Sequence, residues 1–185
     1  MHALFVANYI IEYSNKKGYK INNLKLQKLL YFVNVRNILE NGAPLFEESM
    51  EKWKYGPVVP DVYHEYKRFG AFSISTDEMI MEYVEFSVSP FGELSDLEIT
   101  EYDSQKVENT QLIENTVDAL HGFGPFELVD ITHDHTPWKK YEDRIMDGVQ
   151  GIKYTIEEIK TFLDIIQGLK YGYNSSSVYG IITRC

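Results

Sequence analysis

The chain has 185 residues, 44% of them hydrophobic and 25% charged, and a formal net charge of −10. That length suits one ordinary domain, and no stretch approaches the roughly 20 apolar residues needed to cross a bilayer. The only cysteine is Cys185, which excludes an internal disulfide and a cysteine-based zinc site; with no basic leader at the N-terminus, a cytoplasmic protein with no membrane attachment is expected.

Ala3, Val6, Ala7, Ile10, Ile11 and Ser14 recur at helical spacing and predict a first helix with one buried stripe, closed by Gly18. The segment 21–42 predicts a second, longer helix, capped by Asn22 or Asn23 and ended by Gly42. From Leu29 to Val33 it is apolar on every face, so it should be a central helix packed all round, with Lys25, Lys28 and their neighbours snorkelling outward. Glu51, Trp53 and Tyr55 alternate with Lys52 and Lys54, which predicts a strand with an aromatic inner face, ended at Gly56-Pro57. Pro60 suits the first turn of a third helix that buries Val62, Tyr63, Tyr66 and Phe69 and closes at Gly70.

Residues 71–103 are the least regular part of the chain. Val84, Phe86 and Val88 at period two predict a strand there, ended by Pro90 and Gly92 and paired with the strand near Trp53. A helix is expected from a Ser104 cap through Leu120, burying Val107, Ile113 and Val117; Gly122 and Gly124 end it. Pro125 and Thr136-Pro137-Trp138 begin two short helices. A last helix carries a Thr155/Glu158 capping box and an Ile159, Phe162, Leu163, Ile166 stripe. The expected organisation is one domain over 1–170 and a Gly/Ser-rich C-terminal tail over 171–185. The fold class is mainly α: a compact helical bundle around a central buried helix, with a small β-hairpin or short sheet.

Charge is unevenly distributed. Residues 71–134 hold fifteen acids against Lys106 alone, and 71–103 hold no Lys or Arg. Such a block repels nucleic acid and attracts basic partners, or serves only as a solvated face.

Three separated motifs, "LKLQKLLYF" at 24–32, "GAPLFEESMEKWKYGPVVPDVYHEY" at 42–66 and "LVDITHDHTPW" at 128–138, resemble the signature of the Panacea or SocA-like domain, a family that includes phage-associated GepA-like proteins and many antitoxins. The resemblance spans about residues 3–168. It implies a mainly helical, non-enzymatic domain that neutralises a protein toxin encoded beside it, by direct binding or by delivering it to a protease. No cofactor and no catalytic residue come with it. The positions that carry it, Gln27, Lys28, Leu30, Tyr31, Phe32, Trp53, Tyr55, Gly56, Pro57, Tyr63, Thr132, His133, Pro137 and Trp138, are expected to be mostly scaffold.

The residues themselves offer few catalytic candidates. His133 and His135 bracket Asp134 and would supply two ligands of a metal-dependent hydrolase, but a third is missing; a capped turn with Trp138 packed inward is the favoured reading. No nucleophile elbow or phosphate loop is present. The basic run Lys16 to Lys28 is too small a footprint for a DNA-binding regulator. The acidic block is the better candidate for partner binding: Asp77, Glu78, Glu82, Glu85, Glu93 and Asp96, continuing through Glu98, Glu101 and Asp103, could cover a basic groove on a toxin, with Phe72, Met79, Met81 and Phe91 as anchors.

Overall fold

The structure is a computed structural model that describes residues 1–88 and 94–168, with the side chains of 85–88, 94–96 and 164–168 excepted. It is mainly α, with two separate two-stranded antiparallel sheets. Helix α2 (Asn23–Asn41) is the axis. Helices α1 (Ala3–Lys16), α4 (Thr110–Leu120), α5 (Pro125–Asp134) and α8 (Ile156–Gly168) pack round it. Every residue of α2 from Lys25 to Ile38 is buried, as expected of a helix apolar on all sides along Leu29–Val33.

Local chemistry sets most of the boundaries. Ala3, Val6, Ala7, Ile10, Ile11 and Ser14 form the buried stripe of α1. Its first free amide, Ala3 N–H, donates to the Glu48 carboxylate at 2.9 and 3.0 Å. The Asn22 side chain accepts the Lys25 amide at 3.0 Å, and Gly42, in the left-handed region at φ 76°, ends α2. Pro60 opens α3 (Pro60–Tyr66) and Pro125 opens α5, each in the first helical turn where the missing N–H costs nothing. Val62 and Tyr66 of α3 are buried, whereas Tyr63 and Phe69 are half-buried. The short helices α6 (Thr136–Lys139) and α7 (Glu142–Met146) lead to α8, whose Thr155/Glu158 capping box is formed.

Several expectations are overturned. Strand β1 (Glu51–Trp53) pairs not with the later strand but with β2 (Gly56–Val58), so Gly56-Pro57 continue a hairpin instead of ending a strand. Pro57 is tolerated because β2 pairs only with β1, so the proline edge needs no ladder donor. The burial of β1 is also inverted: Lys52 is buried and Tyr55, in the turn, is 53% exposed. The segment called irregular contains a second hairpin, β3 (Glu82–Val88) with β4 (Leu94–Glu101). Pro90 and Gly92, expected to end the strand, lie outside the described residues, as do the 171–185 tail and the Ile166 side chain. Ser104 does not cap a long helix. Asp103 caps a single 3-10 turn, Ser104–Lys106, and α4 starts only at Thr110 because Asn109 adopts φ 53°, which breaks the helical path. Finally, Lys28 does not snorkel: it is fully buried, and Lys25 nearly so, its ammonium donating to the His121 and Phe123 carbonyls at 2.6 and 2.8 Å.

Candidate functional site

The three motif segments meet in one buried junction. Gln27 Oε1 accepts the Val59 amide at 2.9 Å, one turn of α2 from Asn23, whose Oδ1 accepts Gln27 Nε2 at 3.1 Å. Lys28 Nζ donates to the Pro57 carbonyl at 2.8 Å. Gly56, at φ 85°, lies so close to α5 that an added Cβ would stand 2.6 Å from Thr132 Oγ1 and 3.1 Å from Lys28 Nζ. Thr132 Oγ1 donates to the Val129 carbonyl at 2.9 Å. The Trp138 indole donates to the Trp53 carbonyl at 3.0 Å and stacks on His133 with centroids 3.6 Å apart. Residues from α2, β2, α5 and α6 are thereby locked together, although more than a hundred positions separate Lys28 from Thr132.

Burial governs the electrostatics here. It pushes the Lys28 ammonium down to about 7 and the His135 imidazole to about 3; burial, with Lys28 nearby, also lowers His133. His135 Nδ1 and the Tyr31 hydroxyl are 2.9 Å apart, and burial holds that phenol protonated well above its ordinary range. His133 and His135 therefore serve different neighbours, one stacked on Trp138 and the other bonded to Tyr31. Among the described residues no group of three His, Cys, Asp or Glu stands where it could hold a metal ion.

Of the motif positions, Gln27, Lys28, Leu30, Tyr31, Phe32, Gly56, Pro57, Thr132, Pro137 and Trp138 are buried. Trp53 and Tyr63 are half-buried and meet edge to face with centroids 4.9 Å apart. Tyr55 instead meets Phe126, itself 64% exposed, at the surface.

Sequence alternation missed the buried cation of β1. Lys52 Nζ donates to Glu158 Oε2 at 2.9 Å and to the Lys153 carbonyl, and lies 4.6 and 4.4 Å from the ring centroids of Tyr141 and Tyr154. Burial lowers its affinity for protons and Glu158 opposes that. The pair ties β1 to α8.

The acidic segment is different in character. Phe72 is 81% exposed and Met81 48%. Asp77 and Glu78 lie on a 3-10 turn, Thr76–Glu78, where the Glu78 carboxylate accepts the Ser75 amide at 3.1 Å, so Glu78 serves a capping box. Met79 is no exposed anchor, because it packs against the core beside Ile80. The Ile80 amide donates to Tyr66 Oη at 3.2 Å and its carbonyl accepts Asn8 Nδ2 at 2.7 Å. Glu82, Glu98 and Glu101 are exposed. Phe91 and Glu93 lie outside the described residues, as do the side chains of Glu85 and Asp96. Sequence reasoning placed Val84 in a strand but missed that it faces solvent, and missed Leu97 and Ile99, exposed apolar residues of the same hairpin. Their signal was the alternation of Leu97 and Ile99 with Glu98 in a segment dominated by its charge. The root of the hairpin is fixed on α1 and the residue before it: the Tyr83 and His2 ring centroids lie 4.1 Å apart, and Tyr102 Oη donates to Glu12 at 2.9 Å.

The chain is similar over 58 residues to Antitoxin SocA of Caulobacter vibrioides (strain NA1000 / CB15N), with 45% identity. That stretch covers 31% of this chain and 31% of the relative's length. No solved structure matches. The family described as "Antitoxin SocA-like, Panacea domain" matches residues 26–139, which run from within α2 through α6 and include all of the buried junction but Asn23, and both hairpins. On that match, the chain belongs to the SocA-like Panacea antitoxin domain family.

Proposed function

We propose that this chain is the antitoxin of a toxin–antitoxin pair and neutralises a cognate protein toxin, encoded beside it, by direct non-enzymatic binding. Family membership supports the antitoxin role. The observation that carries direct binding is the segment 71–103, which combines nine acids and no Lys or Arg with exposed apolar side chains such as Phe72 and Met81. Carboxylates in such a surface speed encounter with a basic partner, and the apolar side chains supply the holding energy. The buried motif residues keep the domain folded and present this surface. A metal-dependent hydrolase gains no support, because His133 and His135 contact different neighbours and, among the described residues, no third His, Cys, Asp or Glu stands with them to hold a metal ion.

The test is to express the neighbouring reading frame alone and together with this chain. Growth arrest by the first and recovery with the second is expected; a harmless neighbour, or one that this chain does not rescue, sinks the reading. Reversing Asp77, Glu82, Glu98 and Glu101 together to Lys should slow association and flatten its dependence on salt. Unchanged kinetics would remove the acidic segment from the interface.

A further inference from the structure

The hairpin β3–β4 carries apolar side chains on the wrong side for a ribbon that merely caps a domain. In register, Val84 stands opposite Ile99 and Glu82 opposite Glu101. Period two places Leu97 on the same face as Ile99. Val84, Leu97 and Ile99 are 39%, 58% and 53% exposed, so this face looks outward. On the opposite face the Tyr83/Thr100 pair is half-buried, and Tyr83 rests on His2 of the N-terminal segment, while Glu98 farther along that face is exposed. The tyrosine side therefore anchors the ribbon and the aliphatic side is left open.

Charge selects what could cover it. Glu82 and Glu101 are directly opposed carboxylates, an arrangement that destabilises a ribbon unless a cation joins it. Among the described residues neither is paired with a Lys or Arg, and the whole segment 71–103 has none to offer. A second copy of this chain, docking ribbon to ribbon, would bring more carboxylate to the same place. Solubility alone accounts for the acids but not for an outward aliphatic cluster beside them.

We propose that this outward face is the seat of the toxin, and that the toxin segment docking there is amphipathic. Its apolar stripe meets Val84, Leu97 and Ile99, and its Lys or Arg residues meet Glu82 and Glu101. The inference rests on the antitoxin reading above and narrows it to one face of one hairpin.

The test uses the full chain and the toxin from the neighbouring frame. Leu97→Ser/Ile99→Ser should weaken binding by about tenfold or more and abolish rescue, with circular dichroism and melting temperature kept. Glu82→Lys/Glu101→Lys should slow association and abolish its loss with added salt. Binding within twofold of wild type in both variants overturns the proposal while leaving the antitoxin reading intact; a wild-type chain that rescues nothing overturns both. Should a variant fail to fold, amide hydrogen exchange on the wild-type complex decides, since 82–84 and 97–101 must gain protection when toxin binds. A chain that sediments alone as a dimer, and becomes a monomer in Leu97→Ser/Ile99→Ser with toxin affinity unchanged, assigns the face to a second copy and also overturns the proposal.

Discussion

Lys28 Nζ and the Pro57 carbonyl, 2.8 Å apart, join the central helix to the inner strand of the first hairpin through a fully buried ammonium that has no carboxylate partner among the described residues. Desolvation alone depresses the lysine to about 7, from an ordinary value of 10.5. Between those values the unfolded chain binds the proton and the folded chain does not, so stability rises with pH across this window. The lysine's share of that rise is about 2 kcal/mol between pH 7 and pH 9. Lys25 and Lys52, also lowered by burial, act in the same direction. Lys28→Met should flatten the slope of denaturant-derived stability over this range; an unchanged slope would mean that the ammonium is not isolated from water.

His135 gives the complementary acid response. Its imidazole, bonded to Tyr31 and depressed by burial to about 3, stays neutral in the fold while the unfolded chain takes up a proton below about 6.5. Stability is therefore lost as pH falls from 7 to 5, and His135 accounts for about 2 kcal/mol of that loss. His133, lowered by burial and Lys28, adds to it. His135→Gln should be less stable than wild type at pH 7, because the buried Tyr31 hydroxyl loses its fitted partner, yet should lose less on acidification. Thermal melts at pH 7, 6 and 5 distinguish the two effects.

Gly56 tests the close approach of β2 to α5. Alanine there must adopt φ 85° and place its Cβ 2.6 Å from Thr132 Oγ1, so Gly56→Ala should cost about 3 kcal/mol. Gly56→Ala/Thr132→Ala removes the closer of the two obstacles. It should be more stable than the sum of its single changes by about 1 kcal/mol, read from a double-mutant cycle in urea. Strict additivity would show that the two segments do not press on each other.

These three sites also mark the limits of reading the chain by pattern. The α1 stripe, the Asn22 and Gly42 ends of α2, the prolines opening α3 and α5, and the Thr155/Glu158 capping box were legible because each depends on residues a few positions apart. The burial of Lys28 and Lys52 was not. Alternation sends a charged residue outward, and only acceptors from distant segments, such as Pro57, Lys153 and Glu158, make the inward placement tolerable. The second hairpin was half legible: Val84 announced β3, but the acids around Leu97 and Ile99 hid β4 and, with it, the outward face. Motifs thus marked residues that meet in the buried junction, whereas exposure required the assembled fold.

The Lys52–Glu158 pair holds α8, which lies outside the 26–139 family match, against the first hairpin, β1–β2, which lies inside it. Lys52 has no exposed side-chain surface, while Glu158 keeps 17% of its own, so most of the desolvation falls on the cation. Glu158→Gln retains the shape and the capping geometry but removes the counter-charge, leaving Lys52 with the Lys153 carbonyl and two tyrosine rings. Breaking a buried pair from one side costs about 3 kcal/mol, and the partial exposure of Glu158 brings the expected loss nearer 2 kcal/mol. Lys52→Met/Glu158→Gln should recover much of that loss, because methionine fills the aromatic box without a charge to desolvate. Urea unfolding of the four proteins measures the coupling, and hydrogen exchange along 156–163 reports whether α8 loosens first in Glu158→Gln. Equal stability of Glu158→Gln and wild type would show that the carbonyl and the two rings alone suffice to hold the buried ammonium.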